Sequence, residues 1–231
     1  MMIQRSLSLR LLSLLAAGQV AFFTLALQAQ DTAAPSSPKW EEKIKAFEEK
    51  DAKSPPKPGG VVFVGSSSIV GWNLPESFPD LNALNRGFGG SEVVDALFYA
   101  DRIILPYKPT KIFLYAGDND IGNGKTALTV FDDFVMLAEL IEAKLPEAEL
   151  IYVAIKPSIK RWKIWPEMQR ANDLIAGYAR AKSKVSFANI IPATLGSNGE
   201  PDPTLFKDDG LHLNKKGYAA WNAVIVPFLN D

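Results

Sequence analysis

The chain has 231 residues, of which 47% are hydrophobic, and this length and composition suit one domain with a substantial core. Its formal charge of −1 and pI near 6.0 give no electrostatic reason to expect nucleic acid or an anionic membrane as a partner. Because the chain has no cysteine and one histidine, disulfides, thiolate catalysis and cysteine-based zinc sites are excluded, and a catalytic zinc site is not expected.

Residues 1–29 have the pattern of a secretory signal peptide. Arg5 and Arg10 supply a positively charged start, residues 11–27 are mostly apolar, and Ala29 occupies the small-residue position before a cleavage site. A membrane anchor is the alternative, but the interrupted apolar run and the small polar residues after it favour cleavage. We therefore predict an exported protein, periplasmic or secreted, with no stable membrane insertion after the signal is removed.

Residues 30–59 are predicted to form a linker and one helix. The first part of this segment is small, polar and proline-containing, which is typical of a linker. Trp40, Ile44 and Phe47 then recur at helical spacing among charged residues, so this helix is expected to cover one edge of the domain. A proline- and glycine-rich stretch that begins at Ser54 ends it.

From residue 60 to residue 231, strand-like and helix-like segments alternate, and nothing in the pattern suggests a second domain. The candidate strands are short apolar runs at residues 61–64, 81–85, 111–115, 150–155 and 185–188. Two helical patterns comprise Leu128, Phe131, Phe134, Ala138 and Ile141, and Met168, Ala171, Ile175 and Tyr178. A last helix is expected after Asn214, with Tyr218, Trp221 and Ile225 on its inner side. Such alternation predicts a three-layer α/β/α sandwich around a mainly parallel sheet.

Four unusual polar segments follow the predicted strands. Three serines come directly after the first strand at residues 66–68, and a glycine-rich segment follows the second at 85–91. A Gly-Asp-Asn-Asp sequence follows the third at 117–120, and residues 209–212 lie after the last strand. Ligand sites in open parallel sheets form beyond the carboxyl ends of the strands, so we expect these segments to meet at one edge. Each segment alone has a structural alternative as a helix cap or a tight turn.

The only histidine, His212, gives this edge a candidate base. Histidine takes and returns a proton near neutral pH, and Asp209, three residues earlier, is close enough to hold the ring in one tautomer. Together the segments contain an alcohol, a base and donors for a developing oxyanion, which are the parts that acyl transfer requires.

Taken together, the segments resemble four sequence blocks of the SGNH hydrolases, also called GDSL-type esterases, in the family's order. The likeness is greatest to the platelet-activating-factor acetylhydrolase-like and lysophospholipase-like branch, and it covers roughly residues 60–230. The matching blocks are Phe63-Val64-Gly65-Ser66-Ser67-Ser68-Ile69, Asn85-Arg86-Gly87-Phe88-Gly89-Gly90-Ser91, Gly117-Asp118-Asn119-Asp120 and Asp209-Gly210-Leu211-His212.

This resemblance implies a flavodoxin-like fold and a serine esterase or acylhydrolase that uses no cofactor and no metal. It implies Ser67 as the nucleophile, His212 as the base and Asp209 as the carboxylate that orients the base. The backbone N–H of Gly90 and the side chain of Asn119 are implied as oxyanion donors. The substrate expected from the family is a small-molecule or glycan ester with a short acyl group, such as an acetylated sugar or a lysophospholipid.

The chain departs from the family pattern at Ser66, which stands where the family has aspartate, and the motif register still favours Ser67. Asp120 matches the family motif, and we assign it a structural role. Trp162, Trp165 and Phe206 are candidates to line an acyl or sugar pocket, although packing is the alternative role for such aromatic residues.

Two other functions stay open. One is a non-catalytic carbohydrate- or lipid-binding module with the same fold. The other is a nucleotide- or phosphate-binding protein that uses the glycine-rich turn, although no Walker-type lysine stands at the required spacing.

Overall fold

A computed structural model describes residues 38–230 of the chain. The predicted signal peptide and most of the linker after it lie outside the described residues, so both stay predictions. Within residues 38–230, no helix has the length and apolar character needed to span a membrane.

A five-stranded parallel sheet forms the centre of the domain, with the strand order β2-β1-β3-β4-β5. The strands are β1 (Val61–Gly65), β2 (Ala83–Gly87), β3 (Lys111–Tyr115), β4 (Glu149–Val153) and β5 (Val185–Ala188). The α-helices are α1 (Glu41–Lys53), α2 (Ser67–Val70), α3 (Leu74–Ser77), α4 (Val93–Phe98), α5 (Ala100–Ile103), α6 (Asp118–Gly122), α7 (Ala127–Lys144), α8 (Trp165–Arg180) and α9 (Lys215–Ile225).

Helices cover both faces of the sheet. Alternate residues of each strand point to opposite sides, so each face presents apolar side chains to the helices that pack on it. Val62 and Leu114 pack on one face with apolar residues of α1, α4, α5, α7 and α8. Phe63 and Phe113 pack on the other face with residues of α2, α3 and α9. The predicted α/β/α sandwich with a parallel sheet is therefore confirmed.

Three strands have bounds that differ by one or two residues from the predicted ones: the first ends at Gly65 instead of residue 64, the second spans Ala83–Gly87 instead of 81–85, and the fourth spans Glu149–Val153 instead of 150–155. Two of these differences have a clear local cause. The second strand starts at Ala83 instead of residue 81, since Leu81 still donates its N–H to the carbonyl of Phe78 in a turn. The fourth strand ends at Val153 instead of residue 155. The backbone N–H and carbonyl of Ile155 bond to the side chain of Asn172 and cannot continue the strand.

The helix pattern also differs at one residue. Leu128 is 58% exposed, because the buried stripe of α7 begins at Ala127 and Val130 and continues through Phe134.

The carboxyl ends of the first three strands lie level with one another. Gly65 at the end of β1 lies opposite Gly87 of β2 and opposite Tyr115 of β3. The segments that follow these strands therefore leave the sheet side by side, as expected from the sequence.

Candidate active site

A strained glycine turns the chain from β1 into α2 and presents Ser67 at the edge of the sheet. Gly65 has a φ of +135°, and a Cβ on this residue would lie 1.9 Å from the carbonyl oxygen of Tyr115, so only glycine fits. Of the three serines that follow, Ser66 and Ser68 are buried and Ser67 is partly exposed. Ser67 is therefore the serine that a substrate can reach.

Ser67, His212 and Asp209 form a continuous chain of short contacts. The Oγ of Ser67 lies 3.0 Å from Nε2 of His212, and Nδ1 of His212 lies 2.5 Å from Oδ2 of Asp209. Because Nδ1 faces a carboxylate, it carries the ring proton, and Nε2 is left to accept the Ser67 hydroxyl proton. The structure thus brings together the three residues that the sequence predicted as nucleophile, base and orienting carboxylate.

Asp209 is itself held by its own loop. Its Oδ1 accepts hydrogen bonds from the backbone N–H groups of Leu211 and His212, each at 2.9 Å. The hydrogen bond with the His212 ring, followed by these two backbone bonds, holds the pKa of Asp209 well below its usual range. The carboxylate therefore stays ionised and can stabilise a protonated imidazole.

The segment with Gly90 lies between Ser67 and Asn119. A Cβ on Gly89 would lie 3.7 Å from Cβ of Ser67, so this loop passes directly beside Ser67. On the other side, the carbonyl of Ser91 accepts a hydrogen bond of 3.0 Å from Nδ2 of Asn119. Gly90, with a φ of +82°, stands between these two contacts. Gly90 therefore lies on a loop that has Ser67 on one side and Asn119 on the other.

The comparison with protein families agrees with this geometry. The model of the GDSL-like lipase/acylhydrolase family matches residues 63–220, which is more than half of the chain. The chain belongs to the GDSL-like lipase/acylhydrolase family. It is accordingly an enzyme that hydrolyses esters, and the predicted membership among the GDSL-type esterases is confirmed.

Solved structures share the fold of this acylhydrolase. A Streptococcus pneumoniae protein whose name refers to platelet activating factor superposes with a TM-score of 0.74 at 23% identity, over 83% of this chain and 93% of that chain. A GDSL-like lipase from Bacteroides thetaiotaomicron gives a TM-score of 0.69 at 24% identity, over 80% and 96% of the two chains. A carbohydrate esterase family 3 structure from Talaromyces cellulolyticus gives a TM-score of 0.58 at 19% identity, over 74% of this chain and 96% of that chain. A search of curated proteins finds no significant match.

Asp120 of this acylhydrolase has the contacts of a structural residue. It is fully buried, accepts the backbone N–H of Val93 at 3.2 Å and lies 3.2 Å from Nζ of Lys125. Burial raises the pKa of Asp120 to about 7, although the charge of Lys125 opposes this shift. Asp120 thereby connects the start of α6 with the start of α4.

Sequence reasoning missed a buried charged cluster next to Asn119, the predicted oxyanion donor. Lys156 is 1% exposed, and its Nζ lies 2.9 Å from the hydroxyl of Tyr115 and 3.2 Å from Oδ2 of Asp118. Arg161 adds a second cation, with NH1 3.1 Å from the same Asp118 oxygen. Burial would raise the pKa of Asp118, but the charges of Lys156 and Arg161 hold it below its usual value. One signal was available in the sequence, because Lys156 directly follows the apolar run of the fourth strand.

Two open depressions of the acylhydrolase share Ile159, and the first of them is lined by the Asp209 loop. The first, of about 470 Å³, is lined by Ile159, Phe206 and Asp209 among others. The second, of about 300 Å³, shares Ile159 with the first and reaches Trp162. Trp165 is stacked on Trp162, with ring centroids 6.0 Å apart. Two of the three aromatic residues predicted to line a pocket, Phe206 and Trp162, do line depressions here.

Proposed function

We propose that this enzyme is a serine esterase that cleaves carboxylic esters through an acyl-enzyme intermediate. Ser67 is the nucleophile, His212 the general base and Asp209 the carboxylate that orients it. The observation that carries the proposal is the chain of contacts from Ser67 Oγ to His212 Nε2 at 3.0 Å and from His212 Nδ1 to Asp209 at 2.5 Å. A hydroxyl within hydrogen-bond reach of a base that a third group orients is the arrangement that activates a serine.

In the first half of the reaction, Ser67 Oγ attacks the ester carbonyl carbon while His212 Nε2 takes the hydroxyl proton. The carbonyl oxygen becomes an oxyanion, which accepts hydrogen bonds from the backbone N–H groups of Ser67 and Gly90 and from the amide of Asn119. His212 then gives its proton to the leaving oxygen as the carbon–oxygen bond breaks. The alcohol departs, and the acyl group stays on Ser67.

In the second half, a water molecule takes the place of the alcohol. His212 removes a proton from the water as its oxygen attacks the acyl carbon, and the same donors hold the second oxyanion. Collapse of this intermediate breaks the bond to Ser67, which recovers its proton from His212. The products are a carboxylic acid and the original enzyme.

The proposed substrate is a carboxylic ester with a short acyl group, and the candidates are an acetylated sugar and a lysophospholipid. Since His212 protonates the leaving oxygen, the alcohol part of the substrate must lie on the His212 side of Ser67. The first depression is lined by Asp209, the partner of His212, and is therefore the candidate to hold the alcohol. Ile159 lines both depressions and Trp162 lines the second, and both side chains offer apolar surface for a sugar face or a lipid chain. The Talaromyces structure with the same fold is named a carbohydrate esterase, which agrees with a glycan ester.

An ester panel of varied acyl length and alcohol, including acetylated glycans, tests this proposal. We expect the highest kcat/KM for acetyl and other short acyl esters, and a further increase when the alcohol is a sugar. A folded protein that hydrolyses no ester of the panel and does not react with a fluorophosphonate would contradict the proposal. Binding of glycans or lipids without turnover would then favour a non-catalytic module.

Asn119→Ala is expected to lower kcat by about 100- to 1,000-fold, or roughly 3–4 kcal/mol. The reason is that the amide donates to a charge that appears only during the reaction, so substrate binding and KM should change by a small factor. Asn119→Asp should also be slow, because an ionised carboxylate repels the oxyanion.

Steady-state kinetics of the two Asn119 variants, with circular dichroism to check the fold, measure this effect. Asn123→Ala is a matched control, since Asn123 is an exposed amide that follows the same short helix and bonds to Glu92. Asn123→Ala should keep the wild-type kcat. Near-wild-type turnover by folded Asn119→Ala would remove Asn119 from the site.

We also propose export, on the basis of residues 1–29. The protein recovered from the periplasm or the medium should begin near Gln30 when its N-terminus is sequenced. An intact Met1 on a protein found only in the cytosol would contradict export.

A further inference from the structure

The side-chain amide of Asn119 is held from both sides. Its Oδ1 accepts a hydrogen bond of 2.9 Å from NH2 of Arg161, and its Nδ2 donates to the carbonyl of Ser91 at 3.0 Å. A half-turn of the amide would place its NH₂ against the guanidinium and its oxygen against the Ser91 carbonyl. One orientation therefore satisfies both partners, and in it the second N–H of Nδ2 remains for a substrate oxygen.

The guanidinium of Arg161 is itself fixed in place. Its NH1 lies 3.1 Å from Oδ2 of Asp118, whose side chain is buried. A Cβ on Gly122 would lie 3.1 Å from Cζ of Arg161, so the guanidinium lies directly against the end of α6. The Nζ of Lys156 lies 3.2 Å from the same Asp118 oxygen. The Asn119 amide therefore accepts its hydrogen bond from a guanidinium that an ion pair with Asp118 holds in position.

The charges in this cluster favour an anion beside Asn119. Arg161 and Lys156 are two cations around the single carboxylate of Asp118, which leaves one positive charge uncompensated within the cluster. Burying a cation is costly unless it is paired, and Lys156, which is 1% exposed, shares the carboxylate of Asp118 with Arg161. A cationic donor on Oδ1 also polarises the amide, and this makes Nδ2–H a stronger donor.

We propose that Arg161 is a positioning residue for the oxyanion hole. It fixes the orientation of the Asn119 amide and strengthens its donation, while Asp118 and Lys156 hold the guanidinium. This inference rests on the proposed function, in which Asn119 donates to the oxyanion.

Two variants of Arg161 and one control test its role. Arg161→Met keeps an unbranched side chain but removes the charge and the donors. Arg161→Lys keeps the charge but lacks the planar guanidinium that contacts both Asn119 and Asp118. Arg170→Met is a matched control, since Arg170 lies in α8 with a side chain 70% exposed and pairs with Glu167 at 3.1 Å. Each variant is characterised by kcat, KM, circular dichroism and thermal unfolding.

We expect Arg161→Met to lower kcat by about 10- to 100-fold with little change in KM, a smaller loss than removal of the donor itself. Arg161→Lys should recover part of this loss, and Arg170→Met should keep the wild-type kcat. A purely structural role would instead lower the unfolding temperature and leave kcat of the folded fraction unchanged. That result for Arg161→Met would overturn the inference.

A double-mutant cycle identifies the route of the effect. If Arg161 acts through Asn119, the double variant Asn119→Ala/Arg161→Met should be no slower than Asn119→Ala. Additive losses in log kcat would overturn the inference. Should Arg161→Met fail to fold, the same cycle is run with Arg161→Lys, whose loss should likewise vanish in the Asn119→Ala background.

Ser67→Ala, measured in parallel, separates the inference from the proposed function. Turnover that persists in Ser67→Ala would contradict the proposed function. If Ser67→Ala is inactive and Asn119→Ala is slow, but Arg161→Met turns over at the wild-type rate, only the inference fails. If Asn119→Ala is as fast as wild type, Arg161 has no donor to act through and the inference is overturned.

Discussion

Replacing Ser67 by alanine is expected to abolish ester hydrolysis, with a loss in kcat on the order of 10⁶-fold. The reason is that the Oγ of Ser67 lies 3.0 Å from Nε2 of His212, whereas Ser66 and Ser68 are buried. Mass spectrometry of protein labelled with a fluorophosphonate should place the adduct on Ser67. Ser67→Ala should prevent labelling.

The neighbouring serines are the controls for this prediction, and both variants should keep at least part of the labelling and turnover. Ser66 Oγ has no hydrogen-bond partner within residues 38–230, so Ser66→Ala leaves no partner unpaired. Ser68 Oγ accepts a hydrogen bond of 3.1 Å from Lys156, so Ser68→Ala should lower stability by about 1–3 kcal/mol. An adduct on Ser66 or Ser68 would show that the nucleophile is misassigned.

His212→Ala is expected to cost nearly as much as the loss of the nucleophile, and Asp209→Ala roughly 10⁴-fold in kcat. Without Asp209 the imidazole remains, but its tautomer and orientation are no longer held. Because the two residues act as a unit, the double variant should be little slower than His212→Ala. The kcat values of the two single variants and the double variant measure this coupling. Asp173→Ala is the control, because Asp173 is an exposed carboxylate on α8 and its loss should leave kcat unchanged. Strictly additive losses in log kcat would show that Asp209 acts elsewhere.

The same contact predicts how Asp209 responds to pH. Its hydrogen bond with His212 places the pKa of Asp209 below that of the unfolded chain. The group therefore contributes stability above about pH 4, which is lost only as the pH falls further through the folded-state pKa. Asp209 should therefore stay ionised throughout the range from pH 7 to pH 5. The free energy of unfolding of the wild type minus that of Asp209→Asn should fall as the pH drops below about 4. A difference that is the same at pH 5 and at pH 2 would contradict this expectation.

The sequence by itself determined the three-layer α/β/α architecture of this protein. Short, mostly apolar runs such as 111–115 and 185–188 match the observed strands residue for residue, because the strands of a covered parallel sheet are mostly apolar and are bounded by turn residues. The same reasoning placed the candidate site residues at one sheet edge, since all carboxyl ends of parallel strands face the same way. Their catalytic roles stay predictions that the variants above test.

Only the tertiary structure decided which serine is accessible and what stands behind Asn119. Ser66, Ser67 and Ser68 are chemically identical in the sequence, and the turn at Gly65 is what exposes the middle one. Arg161 reaches Asn119 across 42 positions of sequence, and Lys156 reaches Asp118 across 38. Periodicity describes one element at a time, so it carries no information about charges that meet when separate loops pack at the same edge.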